Sequence, residues 1–470
     1  MQKSIVAFLF VFISTALQAQ ITFEKVIDTL GMGLATCVQE TFDGGYVLSG
    51  RGTISGTLIL KLDSFGSMEW YKIIDGTGQG GGGYIEQTPD SGFMVNSACG
   101  STATSIKASL LRLNPYGDTI WTKEFSAGIG LTYPCGSNSM ASINSAIYGI
   151  TGFYNQASQT SDIFFQSYLN NGVLLSNKVY PTPFGSDARG INKTFDGNFI
   201  IVGEIAVSTT SSDIYLIRTD AFGDTIWTKR YDKVNVEVGQ AVIQTTDSGF
   251  AMVSVLQGST NYEIYLIKTN GNGDTTWTKT YNFNYRPVPT SLQQTDDGGY
   301  IITGECENIN FERSVFLIRT NAMGDTLWSR QFKAGGTSFN NSSSCVRQTK
   351  DKGYIFCGVS TMAPAGLYIV KTDSLGMVYS TTGISEVNNP FSLTIYPNPN
   401  SGVFTLNAKG ISKKGAPFKI YNANNQCVYS GDLYNNSECS LDLSYLPSGL
   451  YFIVLYTDNK VFSRKFIIEK

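Results

Sequence analysis

Apolar and β-branched residues occur along most of the chain in short runs, each ended by a turn that is rich in Gly, Asp or Asn. Residues 240–281 illustrate the pattern, because runs at 241–245, 250–255, 264–269 and 275–281 are separated by polar or glycine-containing turns. Runs of this length and composition predict β-strands that are buried between neighbouring sheets. The segment therefore predicts a four-stranded antiparallel unit.

The same unit repeats along the chain. A turn glycine stands at 66, 117, 172, 223, 273, 324 and 376, at steps of 50 to 55 residues, and it closes an Asp/Asn-x-x-Gly turn at each of these positions except 172, where Leu169 opens the turn. A four-stranded unit cannot bury both of its faces alone, so such units stack, and a closed ring of them is a β-propeller. The predicted fold is all-β, with a seven-bladed β-propeller of four-stranded antiparallel blades over residues 20–382.

Two further features recur with this period. An Asp opens the first tight turn of six units, at 43, 90, 196, 247, 297 and 351, and the third unit has a degenerate copy near Asn144. We interpret these residues as turn formers and not as metal ligands, since the repeat distributes them one per blade. All five Trp residues stand four positions after a turn glycine, at 70, 121, 227, 277 and 328, which favours packing between blades over ligand binding.

The two ends of the repeat region indicate how the ring closes. The segment after residue 20 aligns with the fourth strands and places Phe23 at the Trp position and Lys25 at the following Lys position. The N-terminus would then complete the last blade, which removes an exposed sheet edge. Alternatively, Met377 to Thr382 fill that place themselves.

Composition excludes several classes of function. The chain contains no His, which removes Ser-His and Cys-His nucleophile pairs and the side chain best suited to proton transfer at neutral pH. A net charge of −3 without a basic cluster makes nucleic acid an unexpected partner. We expect no cofactor and no bound metal.

Residues 1–19 read as a secretory signal peptide, with one Lys followed by an apolar run and small residues before Gln20. The apolar run is too short to span a bilayer, and no other segment is apolar enough to do so. The mature protein would then occupy a compartment in which disulfides persist.

Carboxylates are the remaining candidates for catalysis. Glu40 and Glu86, on the inner strands of adjacent blades, form the one carboxylate pair that we nominate for glycoside cleavage, with Arg347 as a possible substrate clamp. The other inner-strand residues are mainly amides, so a wet channel without catalytic residues is the simpler interpretation. An enzyme is therefore the alternative here, and a binding or adhesive role is the main hypothesis.

Ligand binding is expected on the face with long loops, opposite the short glycine turns. Aromatic and Arg side chains in these loops could stack on and hydrogen-bond to an extracellular glycan or peptide; the candidates are Phe153, Tyr154, Tyr285, Arg286, Phe311 and Arg313. The same residues could instead cap the core, and the propeller could serve as a scaffold for surface assembly.

Eight Cys residues lie after the predicted signal peptide. Cys345 and Cys357 flank a tight turn and would face each other across a hairpin, and Cys427 and Cys439 have the same separation. The spacing leaves open whether either pair forms a disulfide. Cys37 repeats the position of Cys345 without a partner twelve residues on, which favours a buried thiol.

A polar linker at 383–390 precedes a segment of different composition, residues 391–470, in which short strands predict an immunoglobulin-like sandwich of about seven strands. This segment resembles the type A C-terminal sorting domain of the type IX secretion system, found in secreted proteins of Bacteroidota type. The matching residues include Tyr396, Pro397, Asn398, Pro399, Gly402, Gly449 and Tyr451. The resemblance implies export by the type IX machinery to the medium or the outer-membrane surface, with release or anchoring left open. The alternative is an ordinary immunoglobulin-like module.

Overall fold

The computed structural model describes residues 20–30, 33–52, 56–74, 82–100, 106–125, 131–134, 138–155, 160–208, 210–233, 236–257, 262–283, 286–334, 340–361, 365–379, 392–409, 416–422, 426–434, 438–456 and 461–470. These residues form β-strands and turns, with no α-helix among them. They divide into two compact units, one before residue 380 and one from residue 392. The predicted signal peptide and the predicted linker lie outside the described residues.

The first unit contains seven antiparallel sheets, numbered here in chain order, and a single parallel bridge between Ser212 and Val236 joins the fourth to the fifth. Sheet 1 consists of β2 (Leu34–Glu40), β3 (Tyr46–Arg51), β4 (Thr57–Leu62) and β5 (Met68–Ile74), and sheet 2 of β6 (Gly82–Gln87), β7 (Phe93–Gly100), β8 (Ile106–Leu113) and β9 (Thr119–Phe125). In sheet 3, β10 (Leu131–Pro134) and β11 (Met140–Ile143) both pair with β12 (Ile147–Asn155), which is followed by β13 (Ser161–Leu169) and β14 (Leu174–Tyr180).

Sheets 4 to 6 repeat the same order. Sheet 4 consists of β15 (Ser186–Lys193), β16 (Phe199–Ala206), β17 (Ser212–Thr219) and β18 (Thr225–Tyr231), and sheet 5 of β19 (Val236–Gln244), β20 (Phe250–Gln257), β21 (Tyr262–Thr269) and β22 (Thr275–Tyr281). Sheet 6 consists of β23 (Arg286–Gln294), β24 (Tyr300–Glu307), β25 (Arg313–Thr320) and β26 (Thr326–Phe332). Each sheet contacts the next one along the chain.

The N-terminal strand completes sheet 7. Its order is β1 (Phe23–Ile27), β29 (Gly366–Thr372), β28 (Tyr354–Ser360) and β27 (Asn341–Gln348), so that β1 takes the place of the fourth strand. Residues 377–379 form no strand, and the backbone N–H of Tyr379 donates to Thr22 Oγ1 at 3.0 Å. Of the two predicted alternatives for closure, the N-terminal one is observed. Sheet 7 in turn contacts sheet 1 through β27 and β2.

Burial differs across each sheet in the way the sequence pattern predicts. The second and third strands are buried along almost their whole length, as in β3 and β4, whereas fourth strands such as β5 and β22 alternate between exposed and half-buried residues. The first-turn Asp residues act as turn formers, as predicted. In sheet 5, for example, Asp247 Oδ1 accepts from Thr245 Oγ1 at 2.5 Å and from the backbone N–H of Gly249 at 3.1 Å.

A cation on the third strand pairs with each of these turn carboxylates. Lys268 in sheet 5 and Lys371 in sheet 7 are almost fully buried and lie 2.8 and 2.9 Å from the carboxylates of Asp247 and Asp351. The same pairing recurs as Lys61 with Asp43, Arg112 with Asp90, Arg218 with Asp196 and Arg319 with Asp297. The buried cation therefore has its counter-charge within the same sheet.

The Trp residues pack between sheets, which confirms their predicted role. Trp277 of sheet 5 meets Tyr300 of sheet 6 edge-to-face, with centroids 6.1 Å apart, and the same contact joins Trp70 to Phe93 in the next sheet. Trp277 also lies against Gly324, where a Cβ would stand 2.8 Å from the indole. Phe23 packs on Tyr46 of sheet 1 in the same way, at 5.9 Å.

Exposed ion pairs accompany this packing. The Lys two positions after the Trp reaches the Asp that follows the turn glycine of the next sheet, as in Lys279 with Asp325 at 2.8 Å and Lys72 with Asp118 at 2.7 Å. Sheet 1 has a Ser at that turn position, and Lys25 donates instead to the Gly66 carbonyl at 2.7 Å. Phe23 thus makes the same contact as the Trp residues, whereas Lys25 reaches the same turn through a backbone carbonyl.

The second unit contains two sheets that share one core. One sheet has the order β30 (Ser392–Tyr396), β31 (Val403–Lys409), β34 (Glu438–Asp442); the other has the order β33 (Cys427–Leu433), β32 (Ala416–Asn422), β35 (Gly449–Tyr456), β36 (Val461–Ile468). Phe404 of the first sheet and Phe466 of the second are buried with ring centroids 4.6 Å apart. The sheets therefore pack face to face.

The six cysteines whose side chains are described are free thiols. Cys345 and Cys357 are cross-strand partners in the β27–β28 hairpin, as the spacing predicts. Cys427 and Cys439 lie in different sheets, where Cys427 opposes Tyr421 and Cys439 opposes Leu406.

Candidate binding cavity

First strands from all seven sheets line two adjoining cavities. The larger, of about 260 Å³, is lined by residues of sheets 1 to 4, and the smaller, of about 160 Å³, by residues of sheets 2 to 7. The two share Tyr84, Ala141 and Asn192. Their polar lining residues are Gln39, Glu40, Tyr84, Glu86, Gln87, Asn138, Ser142, Asn192, Lys193, Gln293 and Arg347.

A repeated hydrogen bond joins the end of a first strand to the first turn of the preceding sheet. The last residue of a first strand accepts from the backbone N–H of the preceding sheet's first turn, as Gln87 does from Phe42 at 2.8 Å and Gln294 from Thr246 at 2.9 Å. Gln244 and Gln348 make the same bond to Phe195 and Asp296. The amides at this position therefore connect one sheet to the next.

Glu40 holds this same position in sheet 1. Its Oε2 accepts from the backbone N–H of Lys350 in sheet 7 at 2.9 Å, and its Oε1 lies 3.3 Å from Lys350 Nζ. One of the two predicted catalytic carboxylates is thus engaged in the contact between the last sheet and the first. The repeated Gln at equivalent positions is the sequence signal that identifies this role.

Glu86 lies deeper in the larger cavity. Burial raises the pKa of its carboxyl group, against the opposing effects of a hydrogen bond from Ser142 Oγ and the nearby charge of Lys193. A carboxyl group of this kind can hold a proton closer to neutral pH than an exposed one. The cavity therefore contains both predicted carboxylates, Glu40 and Glu86, and both have hydrogen-bond partners from the protein.

Tyr84 lines both cavities and is contacted by Gln39 and by Arg347. Gln39 donates to its phenol oxygen at 2.8 Å, and the Arg347 guanidinium lies over its ring, 6.0 Å from the centroid. Burial raises the pKa of Tyr84 well above its usual value. Arg347, nominated as a substrate clamp, also donates to the Val346 carbonyl at 2.8 Å.

Two exposed Phe residues lie in the first turns of sheets 1 and 4. Phe42 is 63% exposed and lines the larger cavity, whereas Phe195 is 68% exposed and is not among its lining residues. The two occupy the same repeat position and have the same backbone hydrogen bond. Phe42 thus offers an aromatic surface beside the cavity, on the side of the short turns.

Several of the predicted loop residues lie on strands. Phe153 and Tyr154 belong to β12, opposite Ile163 and Asp162 of β13, and Arg286 begins β23 with its guanidinium over the Tyr262 ring. The prediction that these three occupy long loops is wrong, because strand pairing continues further than the apolar runs do. Tyr285 and the side chain of Tyr154 lie outside the described residues.

Phe311 occupies a tight turn and not a long loop. Asn308 Oδ1 accepts from the backbone N–H groups of Asn310 and Glu312, and Phe311 stands where the related turns have glycine, with φ of 63°. Its side chain is 73% exposed. Arg313 is the first residue of β25 and lies within 3.4 Å of the carboxylates of both Glu305 and Glu307.

Three carboxylates near the start of β19 approach one another. Single oxygens of Asp213, Asp232 and Glu237 lie within 4.8 Å of each other. Asp213 already accepts from Arg230 Nε at 2.9 Å, and Glu237 Oε1 accepts from the backbone N–H of Lys233 at 2.8 Å. The protein's own donors therefore neutralise part of this charge.

The predicted sorting-motif residues link the start of the second unit to its end. Asn398 Oδ1 accepts from the backbone N–H of Ile467 at 2.9 Å. Gly402 has φ of +100°, and a Cβ there would lie 2.6 Å from the Ser444 backbone, so only glycine fits. The Tyr451 hydroxyl donates to the Pro447 carbonyl at 2.8 Å, and the side chain of Tyr396 is 78% exposed.

Comparison with known proteins identifies this second unit. The family described as "Secretion system C-terminal sorting domain" matches residues 394–469. The chain therefore ends in a type IX secretion sorting domain and is delivered to the medium or the cell surface. No curated protein matches the sequence.

Solved structures that resemble the chain do so at low identity. A protein of unknown function from Bacteroides caccae is 13% identical, with a TM-score of 0.38 over 58% of this chain and 88% of that one. Sqt1 from Chaetomium thermophilum is 10% identical, with a TM-score of 0.43 over 82% and 97%. A neuraminidase-like protein from a flat-faced bat isolate is 8% identical, with a TM-score of 0.40 over 63% and 87%.

Within the described ranges, no helix has the length and apolar character needed to cross a bilayer.

Proposed function

We propose that the seven sheets are the blades of a β-propeller and that the chain is an exported binding protein whose ligand enters the larger cavity beside Phe42. The observation that carries the proposal is the contribution of all seven first strands to two adjoining polar cavities. Contacts from each sheet to the next, and from sheet 7 to sheet 1, support a closed ring. The second unit would be an immunoglobulin-like sandwich that serves export.

The chemistry of the lining favours an uncharged, hydroxyl-rich ligand. Gln39, Asn192 and Tyr84 provide amide and phenol groups, and Phe42 provides an exposed aromatic surface on which a sugar ring could stack. The volume of about 260 Å³ is below the roughly 300–1,000 Å³ typical of drug-sized ligands. The end of a glycan chain is therefore the proposed ligand, not an extended segment.

Glycan-array binding of the full chain lacking residues 1–19 tests this proposal, followed by titration calorimetry on any glycan retained. We expect Phe42→Ala to weaken binding at least tenfold, about 1.4 kcal/mol. Phe195→Ala is the matched control, because it removes an equally exposed Phe at the same repeat position away from the cavity. Equal effects of the two substitutions would refute binding in this cavity.

A glycan-cleaving enzyme is the second candidate, and the raised pKa of Glu86 favours it, since a general acid must carry a proton. Release of reducing ends from the glycans retained on the array tests this candidate. A hydrolase should lose activity with Glu86→Gln and keep its binding affinity. The absence of any release between pH 4 and pH 8 from a glycan that the protein binds would leave binding as the function.

A further inference from the structure

Three thiols meet where sheet 7 contacts sheet 1. Cys37 of β2 and Cys345 of β27 each follow a register shift in the pairing of their strand, and their Sγ atoms are 3.9 Å apart. Cys357 of β28 is the cross-strand partner of Cys345. All three side chains are fully buried.

We propose that Cys37 and Cys345 form a disulfide in the exported protein, which joins the first sheet to the seventh covalently. The sulfurs, now 3.9 Å apart, must approach by about 1.9 Å to reach the usual S–S bond length of roughly 2.05 Å, and the proposal requires rotation of the two side chains to supply this movement. The equivalent positions of sheets 5 and 6 hold Ala241 and Ser291, so the seam between sheets 7 and 1 differs from those seams in having a thiol on each side.

The compartment favours oxidation, and the local charge distinguishes the two thiols once the sheets have met. The sorting domain marks the chain for secretion or the cell surface, so the mature protein lies outside the cytoplasm, where disulfides persist. The contact with Cys37 and the charge of Arg347 lower the pKa of the Cys345 thiol, against the effect of burial, and the thiolate is the form that attacks a disulfide. In the closed seam Cys345 is therefore the more acidic thiol of the pair; before closure either thiol can attack first, with the same products.

The oxidant is a disulfide of a thiol oxidoreductase or of a small molecule. The Cys345 thiolate attacks one oxidant sulfur, forms a mixed disulfide and releases the first oxidant thiol. The Cys37 thiolate then attacks the Cys345 sulfur, which forms the Cys37–Cys345 bond and releases the second oxidant thiol. Two cysteines are oxidised by two electrons, one oxidant disulfide is reduced, and the two cysteine protons end on the released thiols. Because both thiols are buried once the sheets have met, the exchange takes place before the seam closes.

Tryptic mapping without reduction tests the proposal on the full chain exported to the periplasm of a bacterial host and alkylated on lysis. Cleavage after Lys333, Arg347, Lys350 and Lys352 places Cys345 and Cys357 in different peptides, so the two possible partners of Cys345 give different masses. We expect a peptide containing Cys37 linked to the peptide containing Cys345, and its loss on reduction. Alkylated Cys37 and Cys345, or a Cys345–Cys357 link, would overturn the proposal.

Two variants add a second readout. Cys357→Ser should keep the linked peptide and most of the thermal stability. Cys345→Ser should abolish the link and lower the midpoint of thermal unfolding by about 5–10 °C. The reason is that the disulfide closes a loop of 308 residues, which restricts the unfolded chain, and the variant lacks this restriction. Wild-type protein treated with reductant should show the same lowered midpoint. A midpoint that reductant leaves unchanged would contradict a bond across this seam.

Discussion

The carboxylate of Glu40 in sheet 1 accepts a hydrogen bond from the backbone N–H of Lys350 in sheet 7, 310 residues further along the chain. Four other sheets end their first strand with a Gln that makes the same bond to the preceding sheet. Glu40, a candidate for catalysis from the sequence, thus occupies the position that connects neighbouring sheets, here between sheet 7 and sheet 1. The contact between the first and last sheets is made by the same residue position as the contacts elsewhere.

Replacing Glu40 tests this connecting role. We expect Glu40→Gln to change the free energy of unfolding by less than about 0.5 kcal/mol, because an amide oxygen accepts the same bond in neighbouring sheets. Glu40→Ala should cost about 1–2 kcal/mol, since the Lys350 N–H loses its acceptor. Chemical denaturation followed by Trp fluorescence reports on the first unit alone, as all five Trp lie there. Equal losses in the two variants would contradict the connecting role.

Substitutions at two turn glycines measure the cost of backbone strain and the cost of packing between sheets separately. Gly44 has φ of +80° and open space where a Cβ would be, whereas Gly324 has φ of +78° and a Cβ position 2.8 Å from the Trp277 indole. We expect Gly44→Ala to cost about 1–2 kcal/mol, from the left-handed backbone alone. Gly324→Ala should cost about 1–3 kcal/mol more, because the indole must move. Denaturation curves of the two variants measure the difference, and equal losses would show that Trp277 does not pack tightly there.

The buried Lys of the third strand needs its turn carboxylate. Asp247→Asn leaves Lys268 buried with the Thr269 carbonyl but without a counter-charge, and we expect a loss of about 1–3 kcal/mol at pH 7. Asp118→Asn is the control, because the Lys72 side chain is 40% exposed and can return to water. Its effect on the denaturation midpoint should be clearly smaller than that of Asp247→Asn.

These carboxylates also predict how stability depends on pH. Burial alone would raise the pKa of Asp43, but hydrogen bonds from Thr41, Lys61 and the Gly45 N–H lower it to about 2. The pKa is also lowered for the equivalent residues Asp90, Asp196, Asp247, Asp297 and Asp351. A group whose pKa is lower in the folded state adds stability above its unfolded value of about 3.9, and this stability is lost as pH falls through the folded value.

Denaturant titrations between pH 6 and pH 2 measure this dependence. We expect the free energy of unfolding of the first unit to fall steeply below about pH 4. The gap between the wild type and Asp247→Asn should narrow over the same interval, because protonation removes the charge that the variant lacks. A gap that stays constant down to pH 2 would show that the carboxylate does not act through its charge.

The sequence predicts the strand pattern, the seven units and the position of the closing strand, because each depends on local periodicity. Phe23 could be aligned with the Trp residues since five of the other sheets have a Trp at the same position. The sequence does not predict which side chains line the cavity or which contacts they make. Whether Glu40 faces a ligand or the next sheet depends on how seven strands from distant parts of the chain come together.

Loop predictions failed for a related reason. Phe153 and Arg286 lie on strands because pairing with the neighbouring strand, not the local apolar pattern, determines where a strand ends. At 308–312 the Asn308 side chain builds a turn that normally has glycine at the position of Phe311, and the absence of that glycine concealed the turn. Phe42, beside the cavity, was missed because its turn belongs to the face that we expected to carry no ligand.

Hydrogen exchange of β29 tests most directly whether the N-terminal strand completes sheet 7. The measurement compares the peptide covering Gly366–Thr372 in the chain that begins at residue 20 and in a chain that begins at residue 29, with the β20–β21 hairpin of sheet 5 as internal reference. We predict strong protection of β29 in the longer chain and a loss of at least tenfold in the shorter one, while the reference hairpin keeps its protection. Equal protection of β29 in both chains, with the reference unchanged, would contradict the account.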